Sequence, residues 1–119
     1  MDLHAFIVAY TDAVYHERNP DAASRFIADP CIRHEHGQRV VMTLEENQRR
    51  IAGFLDFARD VRFSYIQAIA EGEYYASAYE FSFEASGLEK TMSGIEIFRV
   101  QDGKITETWN AAAGEGPWG

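Results

Sequence analysis

The chain has a single cysteine, Cys31, few basic residues and no apolar run of membrane-spanning length. Each shortage excludes a class of behaviour. A lone thiol cannot close an internal disulfide, so the composition fits a reducing compartment and the cytoplasm is the expected location. The longest wholly apolar run lies around Ala5 to Tyr10, far below the roughly 20 residues that cross a bilayer. Asp2 and His4 are wrong for the basic start of a signal peptide, and none is expected. Eleven Lys and Arg stand against nineteen Asp and Glu, a net charge of −8 that would repel phosphate backbones and anionic lipid heads. Neither nucleic acid nor membrane is therefore an expected partner. There is no Gly-rich phosphate loop, no Ser-His-Asp order and no nucleotide motif. Repeats, low-complexity tracts and linkers are missing too, so residues 1–119 read as one domain.

A chain of 119 residues buries roughly two-thirds of its unfolded surface, enough for one core and about one cavity. Leu3, Phe6, Ile7, Tyr10 and Val14 follow helical spacing, predicting a first helix that ends near Arg18. Asn19 and Pro20 suit the cap and first turn of a short second helix running through Ile27. A strand is expected from Cys31 to His36, closed by Gly37. Thr43 and Glu46 form the pattern of a capping box for a third helix, with Ile51, Leu55 and Ala58 on one side and Phe54 alongside. The period then changes to two. Val61, Phe63, Tyr65, Gln67 and Ile69 make one strand face, and Tyr75, Ser77, Tyr79, Phe81 and Phe83 the next. Helices first and antiparallel strands after is an α+β order.

The last two strands are joined by Asp102-Gly103, a strong hairpin signal. Counting outward from a two-residue turn pairs Val100 with Ile105, Phe98 with Glu107, and Glu96 with Trp109. Both sides of this hairpin are partly apolar, so both should be covered, one by the helices and the other by a second copy of the chain. Glu96 is the odd residue there. It is either an edge-exposed carboxylate or one in a structural ion pair, or else a carboxylate in an apolar pocket with a raised pKa.

His34-Glu35-His36 is the densest titratable cluster. Imidazoles suit proton transfer at neutral pH, and alternation puts Ile32, His34 and His36 on one face, Arg33 and Glu35 on the other. The rival reading is a solvated strand end. A His-x-His pair also opens some metal sites, but those need a carboxylate where Val40 and Val41 stand, so no metal is expected. Cys31 reads as a small buried hydrophobe. The tail from Ala111 to Gly119 has no periodicity; it is either flexible or folds Trp118 back over a cavity mouth or a partner.

Gly94 to Trp109 resembles the closing hairpin of the SnoaL-like family, in the nuclear transport factor 2-like superfamily: a Phe-Arg strand end, an Asp-Gly-Lys-Ile turn, then a Glu and a Trp. The opening helix, Asn19-Pro20-Asp21 and Arg25 to Asp29 fit the family's first third. The resemblance covers Leu3 to Asn110 and implies a cone-shaped, curved, mostly antiparallel sheet packed on three N-terminal helices around a pocket. It also implies a homodimer. Pressed towards the ketosteroid isomerase branch, it gives Tyr10 the place of the oxyanion-hole tyrosine, sixteen positions before Phe26. That branch's catalytic Asp has no counterpart. Counting from Phe26 brings His34 to its place and aligning Ala28-Asp29 brings Glu35, so steroid isomerisation is not implied.

The resulting expectation is an enzyme without metal or cofactor that acts on a small hydrophobic carbonyl or aromatic ligand as isomerase, cyclase, dehydratase or hydrolase. His34 takes a proton, His36 or Glu96 assists, and Tyr10 steadies the oxyanion. Phe54, Tyr79, Phe98 and Trp109 form the walls. The alternatives are a binding domain without turnover and a structural dimerisation module.

Overall fold

The computed structural model describes all 119 residues. Asp2 caps the first helix, α1 (Leu3–Thr11), by accepting the Ala5 N–H at 3.0 Å. The spacing predicts one helix to Arg18, but from Asp12 to His16 the backbone widens into a π turn. Arg18, at φ 54°, then turns the chain, and its guanidinium donates to the carbonyls of Leu55 and Ala58. The Asn19 side chain makes no cap bond, and Pro20–Arg25 forms a 3-10 turn instead of an α-helix. The capping box is present as expected: Thr43 accepts from Glu46 N–H while Glu46 accepts from Thr43 N–H, opening α2 (Leu44–Phe57).

Six strands pack with these helices, two before α2 and four after it: β1 (Ile27–Glu35), β2 (Gln38–Met42), β3 (Arg59–Glu71), β4 (Tyr74–Ala85), β5 (Leu88–Gln101) and β6 (Lys104–Glu115). They form one curved, unclosed sheet in the order β2-β1-β6-β5-β4-β3, antiparallel except where β1 runs parallel to β6. This is the cone-type α+β fold. The N-terminal helices cover its concave face, where Ile7, Val14, Ile51, Tyr75 and Ile105 are buried almost completely. Each such side chain contributes roughly 1.5–3 kcal/mol by leaving water. No helix is long and apolar enough to cross a membrane.

Asp102 and Gly103 both have positive φ, 51° and 73°, the geometry of a type I′ turn, as the sequence predicts. Val100 pairs with Ile105, but Arg99 then pairs with Glu107, so Thr106 is an extra residue in β6. Its hydroxyl donates to Gln101 Oε1 at 2.9 Å. The bulge corrects the counted register by one: Phe98 faces Thr108, and Glu96 faces Asn110 rather than Trp109. A one-residue slip exchanges faces, so Thr108 and Asn110 point to the helices while Glu107 and Trp109 point outward.

Two further faces differ from expectation. In β1 it is Cys31 and Arg33 that are buried, with Glu35 beside them, whereas His34 is on the outer side. Between Ile27 and Ile32, β1 advances five residues while β6 advances two, so alternation across this irregular stretch does not set the face. His36 is not a strand residue: with Gly37 it forms the β1–β2 turn, at φ 53° and 72°, and is exposed. In β3, Ile66 is extra between Tyr65 and Gln67, which turns Ile69 outward to 73% exposure. The tail is not flexible strand-free chain either. β6 runs to Glu115, and the Trp118 indole N–H donates to Tyr79 O at 2.8 Å.

Gly94 lets Tyr79 reach the concave face. A Cβ there would lie 2.5 Å from the Tyr79 hydroxyl oxygen, 2.7 Å from its ring carbon Cζ and 2.9 Å from Ala111 O. Gly94→Ala should therefore destabilise the fold by about 1–3 kcal/mol in a denaturant titration, as overpacking does. A neutral result would mean that the Tyr79 ring moves aside freely.

Candidate functional site

Between the helices and the concave face lies a cavity of about 290 Å³. This is the small end of the roughly 300–1,000 Å³ typical of ligand sites. α1 and the π turn contribute Tyr10, Thr11 and Tyr15, and α2 contributes Arg50 and Phe54. From the sheet come Phe63, Tyr65, Tyr79, Phe81 and Phe98, with the polar groups Arg33, Glu35, Glu96 and Asn110. The aromatic walls brace one another edge to face, as Tyr10 does against Tyr15 at 5.9 Å and Phe98 at 6.3 Å. Thr11 donates to Ile7 O at 2.9 Å, so the Tyr65 hydroxyl must be the donor in its bond to Thr11 Oγ1.

Two carboxyls share this space in different surroundings. Burial raises Glu96 above its ordinary value, against the opposing pull of Arg33, Asn110 and Arg50. For Glu35, burial also works upward, but the Arg33 charge and its 3.1 Å hydrogen bond, with Arg50 and His36, take the carboxyl below its ordinary value. Burial holds Tyr10 as a neutral phenol, with Tyr15 acting in the same direction. The Cys31 thiol is pushed up to about 11 by burial and stays inert. Asn110 holds Tyr79 through bonds in both directions, 3.3 Å from the Tyr79 hydroxyl to Oδ1 and 3.2 Å from Nδ2 to that hydroxyl.

Of the residues singled out from the sequence, the cavity brings together Tyr10, Glu96, Phe54, Tyr79 and Phe98. His34, His36 and Trp109 are outside it. The His34 ring stacks on Trp109 at 5.1 Å and 4°, and its Nε2 is 2.6 Å from Glu107 Oε2, in an outer-face depression with Ile95 and Ile97. Glu35, one of the two alternatives for the base position, faces the cavity where His34 does not. Thr11, Arg33, Arg50 and Asn110 are the polar members that the sequence reading missed. For Arg50 the signal is present: Asn47, Arg50, Ile51 and Phe54 follow i, i+3, i+4, i+7 spacing on one helix stripe. No three His, Cys, Asp or Glu side chains converge as metal ligands.

The raised Glu96 carboxyl links stability to pH. Folded Glu96 keeps its proton above 4.5, where the unfolded chain releases it, so this group's contribution is full below 4.5 and is lost as pH rises through the folded value. Glu96→Gln should consequently melt higher than the unaltered chain at about pH 7, with the gap closing near about pH 4. A gap that is equal at both would contradict the raised carboxyl.

The SnoaL-like domain family matches residues 7–108. A search of curated proteins by sequence found no match. Among solved structures, the fold is similar to a SnoaL-like polyketide cyclase from Agrobacterium tumefaciens, with TM-score 0.79 and 16% identity over 94% of this chain and 91% of that one. It is also similar to a Catenulispora acidiphila protein with a ketosteroid isomerase-like fold in complex with trimethylamine (TM-score 0.73, 17% identity, 88% and 83% covered). An epoxide hydrolase from M. tuberculosis gives 0.73 at 13% identity over 88% and 78%. These likenesses speak for the fold, whereas the family match spans most of the chain. The chain belongs to the SnoaL-like family, with the cone fold of the nuclear transport factor 2-like superfamily.

Proposed function

We propose that the chain is an enzyme that moves a proton on a small carbonyl-bearing or aromatic compound, with Glu96 as the proton carrier. The observation behind this reading is the pair of carboxyls in one aromatic cavity, Glu96 raised by burial and Glu35 lowered beside Arg33. A carboxyl nearer neutrality is the better general base or acid, whereas the low, Arg33-bound carboxylate of Glu35 is a poor one. Glu35 then fixes Arg33, and Arg33 steadies charge near Glu96. Tyr10 stays protonated and would donate a hydrogen bond to the oxygen that gains charge. His34 and His36 have no part in this chemistry, because neither reaches the cavity.

The same reading includes a second copy of the chain on the outer face. Ile95, Tyr74 and Ile69 are apolar there and 43%, 43% and 73% exposed, and an unpartnered apolar sheet face favours association.

Proton transfer is tested by deuterium exchange beside the carbonyl of small ketones that carry an aromatic ring, such as 2-tetralone, followed by NMR in heavy water. The unaltered chain should accelerate exchange, Glu96→Gln should lose about 100-fold or more, and Tyr10→Phe about tenfold or more. For a general base, the rate should rise with pH through an apparent value above the ordinary carboxyl 4.5. Exchange that survives Glu96→Gln would remove Glu96 from the role. Ketone binding without any exchange would favour a binding protein over an enzyme.

A further inference from the structure

Arg50 sits on the cavity wall with only neutral partners. Its Nε and Nη2 donate to Asn47 Oδ1 at 3.3 and 3.2 Å, and Nη1 donates to the Tyr15 hydroxyl at 3.4 Å. No carboxylate comes within ion-pairing distance of it, whereas Arg33, Arg49 and Arg99 are each paired. Three of its five N–H groups are used, leaving one on each terminal nitrogen, the number that the two oxygens of a carboxylate accept.

The second cavity arginine is also incompletely satisfied. Arg33 is 9% exposed and donates through Nη2 to Glu35, but its Nε is buried without a partner. Unpaired cationic donors in a largely aromatic, half-buried space are costly to keep, unless a ligand completes them. The charge count agrees. Arg33 and Glu35 balance each other, which leaves Arg50 against Glu96, and burial favours the uncharged form of Glu96.

We propose that the ligand of this cavity is a small aromatic monocarboxylic acid whose carboxylate is bound by Arg50. The inference rests on the reading of the cavity as a small-molecule site. A single free guanidinium matches one negative charge, and the chain's net charge of −8 disfavours more highly charged anions such as phosphoesters. The aromatic part would lie among Phe54, Phe63 and Phe81, and a volume of about 290 Å³ suits one or two rings, not a larger polycycle. The carboxylate at Arg50 would thus orient the reacting end of the molecule towards Glu96 and Tyr10.

The test is calorimetric binding at neutral pH and low salt of cinnamate against cinnamamide, which differ in charge but hardly in shape. The unaltered chain should bind the acid about tenfold or more tighter than the amide. Arg50→Gln should erase that preference by weakening the acid and not the amide, and Arg50→Lys should restore part of it. Arg49→Gln, on the exposed side of the same helix, should change neither. Equal binding of acid and amide by the unaltered chain would overturn the proposal while leaving a proton-transfer site intact. So would equal weakening of both probes by Arg50→Gln without rescue by lysine, and so would binding of neither probe. A clear preference for the acid, with no deuterium exchange in any ketone, would instead keep the ligand class and remove the catalysis.

Discussion

Between Gly94 and Val100 the last hairpin carries one more residue on β6 than on β5, and this asymmetry decides which side chains the helices cover. Strand side chains alternate strictly, so an extra residue at Thr106 exchanges the faces of the residues from Glu107 to Ala112, up to a second bulge at Ala113. Thr108 and Asn110 turn inward, opposite Phe98 and Glu96, and β1 follows because Arg33 and Glu35 pair with those same two positions. Without the bulge, an indole and a glutamate would occupy the cavity floor. With it, Glu96 has an amide neighbour and an arginine, while Trp109, Glu107 and His34 form a separate stacked cluster outside. The polar floor of the cavity is thus a consequence of backbone register more than of any one side chain.

On that floor the electrostatics follow from who is paired. Arg33 is committed to Glu35, so Glu35 stays ionised and Glu96 feels burial as the dominant effect. Carboxyls pushed apart in this way divide labour between a fixed charge and a proton carrier. The aromatic walls keep the local dielectric low, which strengthens both effects. Arg50, held by Asn47 and Tyr15 but matched by no carboxylate, supplies an excess of positive charge within a strongly acidic chain. Attraction to an anionic ligand at the cavity is therefore a local effect, opposed by the chain's net charge.

Features written in local chemistry were legible in the sequence. The Asp102-Gly103 turn, the Thr43–Glu46 capping box and the period-two aromatics of β4 each depend on neighbours a few residues apart, and each stands as read. Glu96 was legible as a cavity residue because it interrupts an otherwise apolar strand face, and Tyr10 through the family resemblance and its spacing to Phe26. The bulges at Thr106 and Ile66 were not, since pairing between distant strands creates them and no turn residue marks them. His34 was misplaced for a related reason. Hydropathy favours Ile32 inward, but Cys31 fits the core better, and Arg33 is tolerated inside because Glu35, two residues on, neutralises it. Arg50 lay on the buried stripe of α2 in plain view, yet a lone arginine on a helix is ordinarily a surface residue.

All of this rests on Glu96 lying in the cavity as a carboxyl that burial raises. A site-resolved carbon NMR titration of the Glu96 side-chain carboxyl tests that directly. A carboxyl raised by burial has an apparent pKa clearly above the ordinary 4.5, falling back towards it when the cavity is opened by Phe98→Ala. A value at or below 4.5 in the unaltered chain would contradict it.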